Sequence, residues 1–426
     1  MESQDPSTGQ TVTGAAGGAA RPAALHVKVL ASINDIAGPV WDACAGGEGT
    51  NPFTKHAFLA ALEESRSAVP RTGWRAQHLV GETADGKVIG AVPCYLKTHS
   101  RGEYVFDHGW AAAYERAGGR YYPKLQVSVP FTPATGRRLL IAPDADAAAT
   151  RSALARGLVE LCSLRDASSV HITFMTEPEW QQVGHSCGFL KRTDRQFHWE
   201  NAGFRSFDDF LAALSSRKRK TIRRERRDAL SANGIEVKWL TGSDLTEDAW
   251  DAFFSFYQDT GSRKWGSPYL TRQFFSMVGA TMAKDTVLIM ARRRGRYIAG
   301  ALNFVGDGTL FGRHWGAVEH HPFLHFEICY YQAIEFAIAH KLARVEAGAQ
   351  GEHKLARGYL PKPTYSAHYI ANAALREAIA NYLEHERSYV AEAGKELMDA
   401  SPFRKDLERR LLGGDAAAEC AEDEGF

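Results

Sequence analysis

The stretch VLIMARRRGRYIAGALNFV, residues 287–305, decides the fold class of this chain. Two apolar runs flank the turn residues Arg294, Gly295 and Arg296, a pattern that predicts a β-hairpin. Within it, RYIAGA at 296–301 resembles GKVIGA at 86–91, where a second pair of strands is predicted around a turn. Solenoid repeats recur about every 20–50 residues, whereas these two segments lie much further apart along the chain. The likeness therefore indicates duplication of a whole domain.

The elements predicted around the two hairpins follow one order in both halves. Each half begins with a strand and two helices, continues through the hairpin and a further strand, and ends with a helix and two more strands. This is the order of an acetyltransferase-like (GNAT-type) domain, and FDHGWA at 106–111 also echoes FGRHWGA at 311–317. The expected fold is α/β, an α+β mixed sheet in two tandem GNAT-like domains. The predicted divisions are a disordered tail at 1–25, an N-terminal domain at 26–200, a C-terminal domain with most of the active site at 201–375, C-terminal helices at 376–413 and an acidic tail at 414–426.

The composition is that of an ordinary globular protein. Of the 426 residues, 44% are hydrophobic, and 51 basic against 50 acidic residues leave a net charge of +1. Affinity for phosphate or nucleic acid must therefore come from a local patch. No segment has the roughly 18 apolar residues of a membrane span, and residues 1–25 lack the apolar core of a signal peptide, so we expect a soluble cytoplasmic protein.

Eight motifs resemble those of the FemAB-like predicted N-acyltransferases, relatives of the Fem peptidoglycan aminoacyltransferases within the GNAT superfamily. The resemblance covers about residues 45 to 370 and implies transfer of an acyl or aminoacyl group to an amine, without naming the substrate. The motifs are NPF at 51–53, DHGWA at 107–111, YPKLQ at 122–126, VPFTP at 129–133, GRRL at 136–139, SRKRK at 216–220, GRHWG at 312–316 and GAQGEHK at 348–354.

Catalytic candidates come from two segments of the second half. An attacking ammonium must first lose a proton, and a positioned His or Glu can take it. His314 is predicted at the end of a strand that lines the acyl cleft, and Glu327 at the start of the next helix. A glycine-spaced polar run then follows the next strand, where ligands of α/β folds commonly bind. The catalytic candidates are His314, Glu327, Glu352, His353 and Lys354, with a backbone amide near the strand holding the oxyanion.

Substrate-binding candidates lie in the motifs of the resemblance or, for Arg357, shortly after the last of them. They are Asp107, His108, Trp110, Lys124, Gln126, Arg313, Gln350 and Arg357.

Two further segments are candidates for binding the donor's phosphates. Backbone amides and arginines between a strand and a helix suit phosphate, and eight of the 11 residues at 217–227 are cationic in a helical segment. The donor-binding candidates are Thr135, Gly136, Arg137, Arg138, Arg219, Lys220, Arg223 and Arg224.

The donor is either an acyl-CoA-type thioester or an aminoacyl-tRNA, and no tightly bound cofactor is expected. The R/Q-x-x-G-x-G/A signature of coenzyme A binding is absent from both halves, which favours tRNA. The short basic helix favours a thioester or another small donor, toward which the sequence leans slightly. The acceptor is a small-molecule or peptide amine.

The sequence also allows two other functions. A non-catalytic RNA-binding module would use the basic helix alone, and a serine hydrolase would use Ser186 of GHSCG at 184–188. Seven of the 16 histidines lie between 314 and 368, yet without a recognised ligand pattern, so no metal is predicted.

Overall fold

The computed structural model describes residues 25–405, except 48, 187, 232–233, 266–267 and 349–350. Its strands are β1 His26–Leu30, β2 Trp74–Ala76, β3 His78–Glu82, β4 Val88–Val92, β5 Cys94–Lys97, β6 Lys124–Val127, β7 Leu140–Ile141, β8 Ser169–Met175, β9 Leu190–Glu200, β10 Ile235–Thr241, β11 Thr286–Arg293, β12 Arg296–Gly306, β13 Thr309–Ala317, β14 Arg344–Glu346 and β15 Leu360–Ile370. Its helices are α1 Gly38–Ala45, α2 His56–Glu64, α3 His108–Arg116, α4 Ala147–Leu164, α5 Glu177–Ser186, α6 Phe207–Ala213, α7 Ser216–Ala229, α8 Glu247–Trp265, α9 Arg272–Thr281, α10 Leu324–Phe326, α11 Gln332–Ala339 and α12 Ala373–Asp399.

One sheet of 11 strands runs through both halves of the chain, in the order β10-β11-β12-β13-β14-β9-β15-β8-β6-β5-β2. The last strand of each half crosses to the other half: β9 pairs with β14, and β15 pairs with β8. A smaller sheet has the order β1-β3-β4-β7. The halves are therefore joined through backbone hydrogen bonds as well as through side chains.

Aromatic packing also joins the halves. The ring of Phe53, from the first half, lies 5.2 Å from the rings of Phe304 and Phe311 in the second. Gly316 lets α8 lie directly on β13, because a Cβ there would stand 2.1 Å from the backbone oxygen of Phe256. The core is continuous across the junction, where β13 meets residues of the first half.

Both predicted hairpins are confirmed: β3 pairs with β4 and β11 with β12, each antiparallel. The echo between 106–111 and 311–317 is wrong as a structural match, since α3 begins at His108 whereas 311–317 belong to β13. The helices predicted at 376–413 are a single helix, α12, within the described residues. The predicted tails at 1–25 and 414–426 lie, apart from residue 25, outside the described residues. No helix of the described ranges is long and apolar enough to cross a membrane.

Candidate active site

The sheet opens into a wedge where β14 ends. β13 and β14 pair in parallel as far as Phe311 and Glu346, after which β13 continues to Ala317 paired only with β12 on its other side. On the other side of β14, Glu346 pairs with His198 of β9. A register shift between Leu302 and Asn303 of β12 lies opposite the continuing part of β13 and interrupts its regular pairing. The wedge is thus lined by residues of β13, β14 and β9.

The loop that follows β6 brings the first half to this wedge. The Thr135 amide donates a hydrogen bond to Glu346 Oε2 at 3.4 Å. Gln196 of β9 donates from Nε2 to the Pro133 carbonyl at 2.6 Å, and Arg313 donates from Nη2 to the carbonyl of Phe131. Both halves therefore contribute to one polar cluster, which consists of Thr135, Gln196, His198, Arg313 and Glu346.

Glu346 is the titratable centre of this cluster. Glu346 is 5% exposed, and burial raises the pKa of its carboxyl to about 7, although the hydrogen bond from the Thr135 amide and the charges of nearby arginines act in the opposite direction. His198 Nε2 lies 3.9 Å from Glu346 Oε2, and burial lowers the pKa of this imidazole to about 3. At neutral pH the histidine is uncharged, while the carboxyl exchanges a proton easily. Such a group suits general acid–base chemistry.

Three aromatic residues near the junction have strained backbones. Tyr104, Phe131 and Phe174 have φ of 63°, 60° and 57°, a region that bulky residues rarely adopt. The Phe131 ring stacks on Tyr269 at 4.7 Å, and the Phe174 carbonyl accepts a hydrogen bond from the Gly136 amide at 3.0 Å. Strain of this kind persists where surrounding contacts fix it and is common at functional sites.

Unused hydrogen-bonding capacity lies on β6 and the loop after it. Gln126 Oε1, Ser128 Oγ and Thr135 Oγ1 are buried and have no hydrogen-bond partner among the described residues. Buried polar atoms without a partner are uncommon in native proteins. Thr135 also belongs to the cluster around Glu346, so one of these unpaired buried atoms lies in that cluster.

His314 lies beside a water-sized cavity of about 10 Å³ at the same junction. Burial and the neighbouring Arg313 lower the pKa of His314 to about 3, and the Tyr257 ring packs on it at 5.1 Å. A base with so low a pKa removes protons from an ammonium poorly. The cavity lining consists of Phe58, Leu62, Pro130, Phe131, Thr132, Leu270, Phe274, Leu302, Phe304, Arg313 and His314.

Glu327 is not placed as a free base. It begins a π-helical turn, Glu327–Tyr331, and is fully buried. Arg226 donates to its oxygens at 2.9–3.2 Å, and Gln332 donates at 2.8 Å. The expected catalytic role of Glu327 is therefore replaced by a structural one, because an ion pair already holds its carboxylate.

The polar run after β14 is only partly described. Gln350 and the side chain of Glu352 lie outside the described residues, so their roles stay predictions. Lys354 is 4% exposed and donates to the carbonyls of Ala347 at 2.6 Å and Gly348 at 3.0 Å, while burial lowers its pKa to about 8. Lys354 thus shapes the segment that leaves the wedge.

His353 and Arg357 belong to an aromatic cluster next to this run. Tyr330 Oη lies 3.0 Å from His353 Nε2. Arg357 donates to both oxygens of Glu225, at 2.8 and 2.9 Å, and lies 3.5 Å above the Phe326 ring. Because its charge is neutralised inside the protein, Arg357 is better explained as a structural residue than as a substrate ligand.

Two of the five substrate-binding candidates of the first half, Asp107 and Lys124, belong to a buried ionic network. Lys124 is completely buried and donates to Glu103 at 2.6 Å, to Ser100 at 2.8 Å and to Asp107. Although burial opposes it, the Lys124 ammonium holds the pKa of Asp107 well below its usual range. The expectation that Lys124 and Asp107 contact a substrate is corrected, because these groups neutralise each other out of reach of solvent.

The other two candidates of α3 differ in exposure. Trp110 is 8% exposed and packs against the ring of His368 at 5.1 Å, so it is a core residue. His108 is exposed and stacks on the exposed Phe106 at 6.0 Å. Of these two, only His108 remains accessible to a ligand.

The proposed phosphate cradle is occupied by the protein itself. Arg138 is 1% exposed and donates to the carbonyls of Thr173 at 2.9 Å and Ala134 at 2.6 Å. Arg137 donates to the Ala45 carbonyl at 2.6 Å, and a Cβ at Gly136 would stand 2.3 Å from the Asn51 side chain. This corrects the cradle hypothesis for Arg138, whose guanidinium holds its own loop. The basic residues of α7 differ, since Lys220, Arg223 and Arg224 are exposed and Arg219 is half-buried.

The serine-hydrolase pattern is not supported by the order of elements. A nucleophile elbow needs a strand before the serine and a helix after it, whereas α5 ends at Ser186 and β9 follows. The Ser186 side chain lies outside the described part of the structure. Within the described residues, no group of three or more His, Cys, Asp or Glu side chains could hold a metal ion.

Sequence reasoning missed Glu346 and His198. Both lie in predicted strands, in which alternating residues are normally assigned to packing. The signal that was available is a carboxylate inside the otherwise apolar run VEAG at 345–348, since buried acidic residues are rare without a partner or a function.

Replacement of His314 by Ala tests whether this imidazole takes part in transfer. The sequence predicts a loss of about tenfold or more in kcat, because removal of a general base typically costs roughly 10²–10⁴. The pKa of about 3 instead predicts a smaller loss in kcat with a larger effect on KM, through the cavity that His314 lines. Steady-state kinetics of the His314→Ala variant distinguish a loss in kcat from an increase in KM. Glu352→Gln provides the same test for Glu352 as the catalytic base.

The chain is similar to a known protein family in sequence and to solved structures in fold. The model of the FemAB-like family, described as peptidoglycan biosynthesis/recognition, matches residues 32–405. The crystal structure of FemX superposes with a TM-score of 0.52 at 13% identity, covering 81% of this chain and 98% of FemX. A tandem GNAT protein from the clavulanic acid biosynthesis pathway gives 0.45 at 15% identity, covering 82% and 99%. No curated protein is detectably similar in sequence. Because the family model spans most of its length, the chain belongs to the FemAB-like family and is an acyltransferase with a mixed α/β fold like that of FemX.

Proposed function

We propose that the protein transfers an acyl or aminoacyl group from an activated donor to an amine of a peptidoglycan precursor, with Glu346 as the general base. The observation that carries this proposal is the buried Glu346 carboxyl, with a pKa of about 7, at the point where β13 and β14 diverge. The family description supports the class of acceptor.

The proposed reaction is a direct transfer in two steps. The Glu346 carboxylate takes a proton from the attacking ammonium, and the free amine bonds to the carbonyl carbon of the donor. The tetrahedral intermediate then loses the second nitrogen proton to solvent and collapses, the bond to the leaving oxygen or sulfur breaks, and the protonated Glu346 returns its proton to that atom. The carboxylate is restored, and no covalent intermediate on the enzyme is required.

Arg313 is assigned to the oxyanion. A guanidinium has five N–H donors, of which Arg313 gives one to the Phe131 carbonyl and another to the Tyr104 side chain. Its charge also favours the ionised form of Glu346, which is the form that accepts the proton. Arg313→Lys should therefore retain charge but lose donor geometry.

Activity assays with purified protein test the proposal. Peptidoglycan precursors that carry a free amine would be incubated with labelled aminoacyl-tRNAs, or separately with acyl-CoA thioesters, and the products identified by mass spectrometry. A new amide bond to the precursor is the expected product. Failure of both donor classes with every amine precursor would contradict the proposal.

Between the two donors, the contacts favour aminoacyl-tRNA. Arg138, which was expected to bind the phosphates of a thioester donor, donates its hydrogen bonds to backbone carbonyls instead. Lys220 and Arg224 of α7, in contrast, are exposed. This reverses the slight lean of the sequence toward a small donor.

The double variant Lys220→Gln/Arg224→Gln tests the donor. If charged tRNA is the donor, its affinity should fall by about tenfold, and the salt dependence of binding should flatten by about two phosphate contacts. The matched control, Arg294→Gln/Arg296→Gln, removes two exposed charges from the turn between β11 and β12 and should have little effect. Transfer from a thioester that resists ribonuclease and both variants would overturn the assignment to tRNA.

A further inference from the structure

One face of α7 carries an exposed row of positive charge. At about 100° per residue, its five exposed cations lie within an arc of about 120°. The opposite face is buried through Ile222, Glu225 and Ala229. The five cations, called the cationic face of α7 below, are Arg217, Lys220, Arg223, Arg224 and Arg227.

Few contacts within the fold neutralise this face. Arg223 pairs with the exposed Asp208 at 3.1 Å, and Arg227 with its sequence neighbour Asp228 at 2.9 Å. Arg217, Lys220 and Arg224 form no ion pair with any of the described residues. Like charges three or four residues apart on a helix repel one another, so a negatively charged ligand would stabilise the helix by reducing this repulsion.

The last described residues lie at the N-terminal end of α7. Phe403 forms an antiparallel β-bridge with Leu214. The Ser215 amide donates to the Pro402 carbonyl at 3.0 Å, and Ser215 is the N-cap residue of α7. The chain is therefore anchored beside the start of the helix immediately before residue 406.

The remaining sequence is complementary to the cationic face in charge and length. Residues 415–426 contain five acidic residues and no basic one. The segment between Lys405 and Asp415 can span about 30 Å when extended, whereas the 14 residues of α7 extend over only about 21 Å. The acidic residues, which can reach each of the five cations, are Asp415, Glu419, Glu422, Asp423 and Glu424.

We propose that the acidic segment 415–426 binds the cationic face of α7 and competes with any other polyanion for it. A tether of this length keeps the segment at an effective concentration on the order of millimolar near the face. Carboxylates near the start of α7 also gain from the helix dipole. The interaction regulates access of polyanions to α7 and is independent of the transfer chemistry at Glu346.

Zero-length cross-linking tests contact directly. A carbodiimide joins a carboxylate to a lysine amine with loss of water, and Lys218 and Lys220 are the lysines of α7. The expected product links Lys220 to an acidic residue of 415–426 in the full chain and disappears in Lys220→Gln. Mixing isotope-labelled and unlabelled protein should give links within one chain only. The exposed ion pair of Lys87 and Asp144 is an internal control, because it should be cross-linked under the same conditions. Cross-linking of Lys87 to Asp144 without any cross-link between Lys220 and segment 415–426 would overturn the proposal.

Competition is measured with a short fluorescent oligo(dT) strand as the polyanion. Neutralising the five acidic residues at constant length should tighten its binding about five- to tenfold at low salt, and the difference should vanish at high salt. In a background of Arg217→Gln/Lys220→Gln/Arg224→Gln, tail neutralisation should no longer matter. Equal affinities with and without the tail charges in the wild-type background would contradict the proposal, whatever the outcome of transfer assays.

Discussion

Glu346→Gln lowers kcat by about a hundredfold or more, because the amide cannot accept the proton of the attacking ammonium. The substitution keeps the shape of the side chain and can still accept the hydrogen bond from the Thr135 amide. KM for either substrate should change much less than kcat. Glu346→Asp keeps a carboxyl but moves it away from the acceptor, so it should recover only part of the rate.

The pH dependence gives a second readout of the same residue. Glu346 acts as a base only when ionised, and burial raises its pKa to about 7, so kcat should rise with pH through about 7 and then level off. Glu346→Gln should lose this rise. A wild-type profile that is flat from pH 6 to 8, or a Gln variant with undiminished kcat, would remove Glu346 from the mechanism.

Stability measurements separate this effect from misfolding. An acid with a raised folded-state pKa destabilises the fold as pH increases from its ordinary pKa to the raised one. Wild type and Glu346→Gln should therefore melt alike near pH 5, whereas above pH 7 the Gln variant should melt at the same or a higher temperature. A large loss of stability in the variant at pH 8 would contradict the assigned pKa.

Lys124→Met destabilises the protein by about 3 kcal/mol or more, because it leaves the buried carboxylates of Glu103 and Asp107 without their closest cation. Chemical denaturation at pH 7 measures the loss. Because Lys124 keeps the pKa of Asp107 low, its contribution is present at neutral pH and disappears as acid protonates the carboxyl. The difference between variant and wild type should therefore shrink at low pH.

Lys87→Met is the matched control. It also removes one cation from an ion pair, but Lys87 and Asp144 are 56% and 62% exposed. An exposed pair contributes little, so the change in unfolding free energy should be much smaller than that caused by Lys124→Met. If Lys124→Met instead left stability unchanged and raised KM for the acceptor, the sequence-based assignment of Lys124 to substrate binding would be restored.

Local patterns predicted much of the architecture. The turn between β11 and β12 and the turn at 85–87 were readable because glycine between apolar runs favours a tight reversal within a few residues. The basic helix was readable for the same reason, because its charged residues belong to one short segment, Ser216–Ala229. Motif resemblance predicted the family, which the family model confirms.

Local sequence patterns could not predict which residues from distant segments come into contact. Asp107, Lys124 and Arg357 have the residue types of a ligand site, and only the fold brings each of them against a buried partner of opposite charge. His198 and Glu346 were assigned to strands, and nothing local indicates that β9 crosses from the first half to pair with β14.

The sequence by itself determined the α/β class, the hairpins, the exposed basic helix and the enzyme family, because each depends on residues close together along the chain. Duplication of a whole domain stays a prediction. Only the tertiary structure decided which charges are neutralised and which remain available. The reason is physical: the pKa of a carboxyl such as Glu346 depends on its burial and on the charges of Arg138 and Arg313, which come from elements distant in sequence.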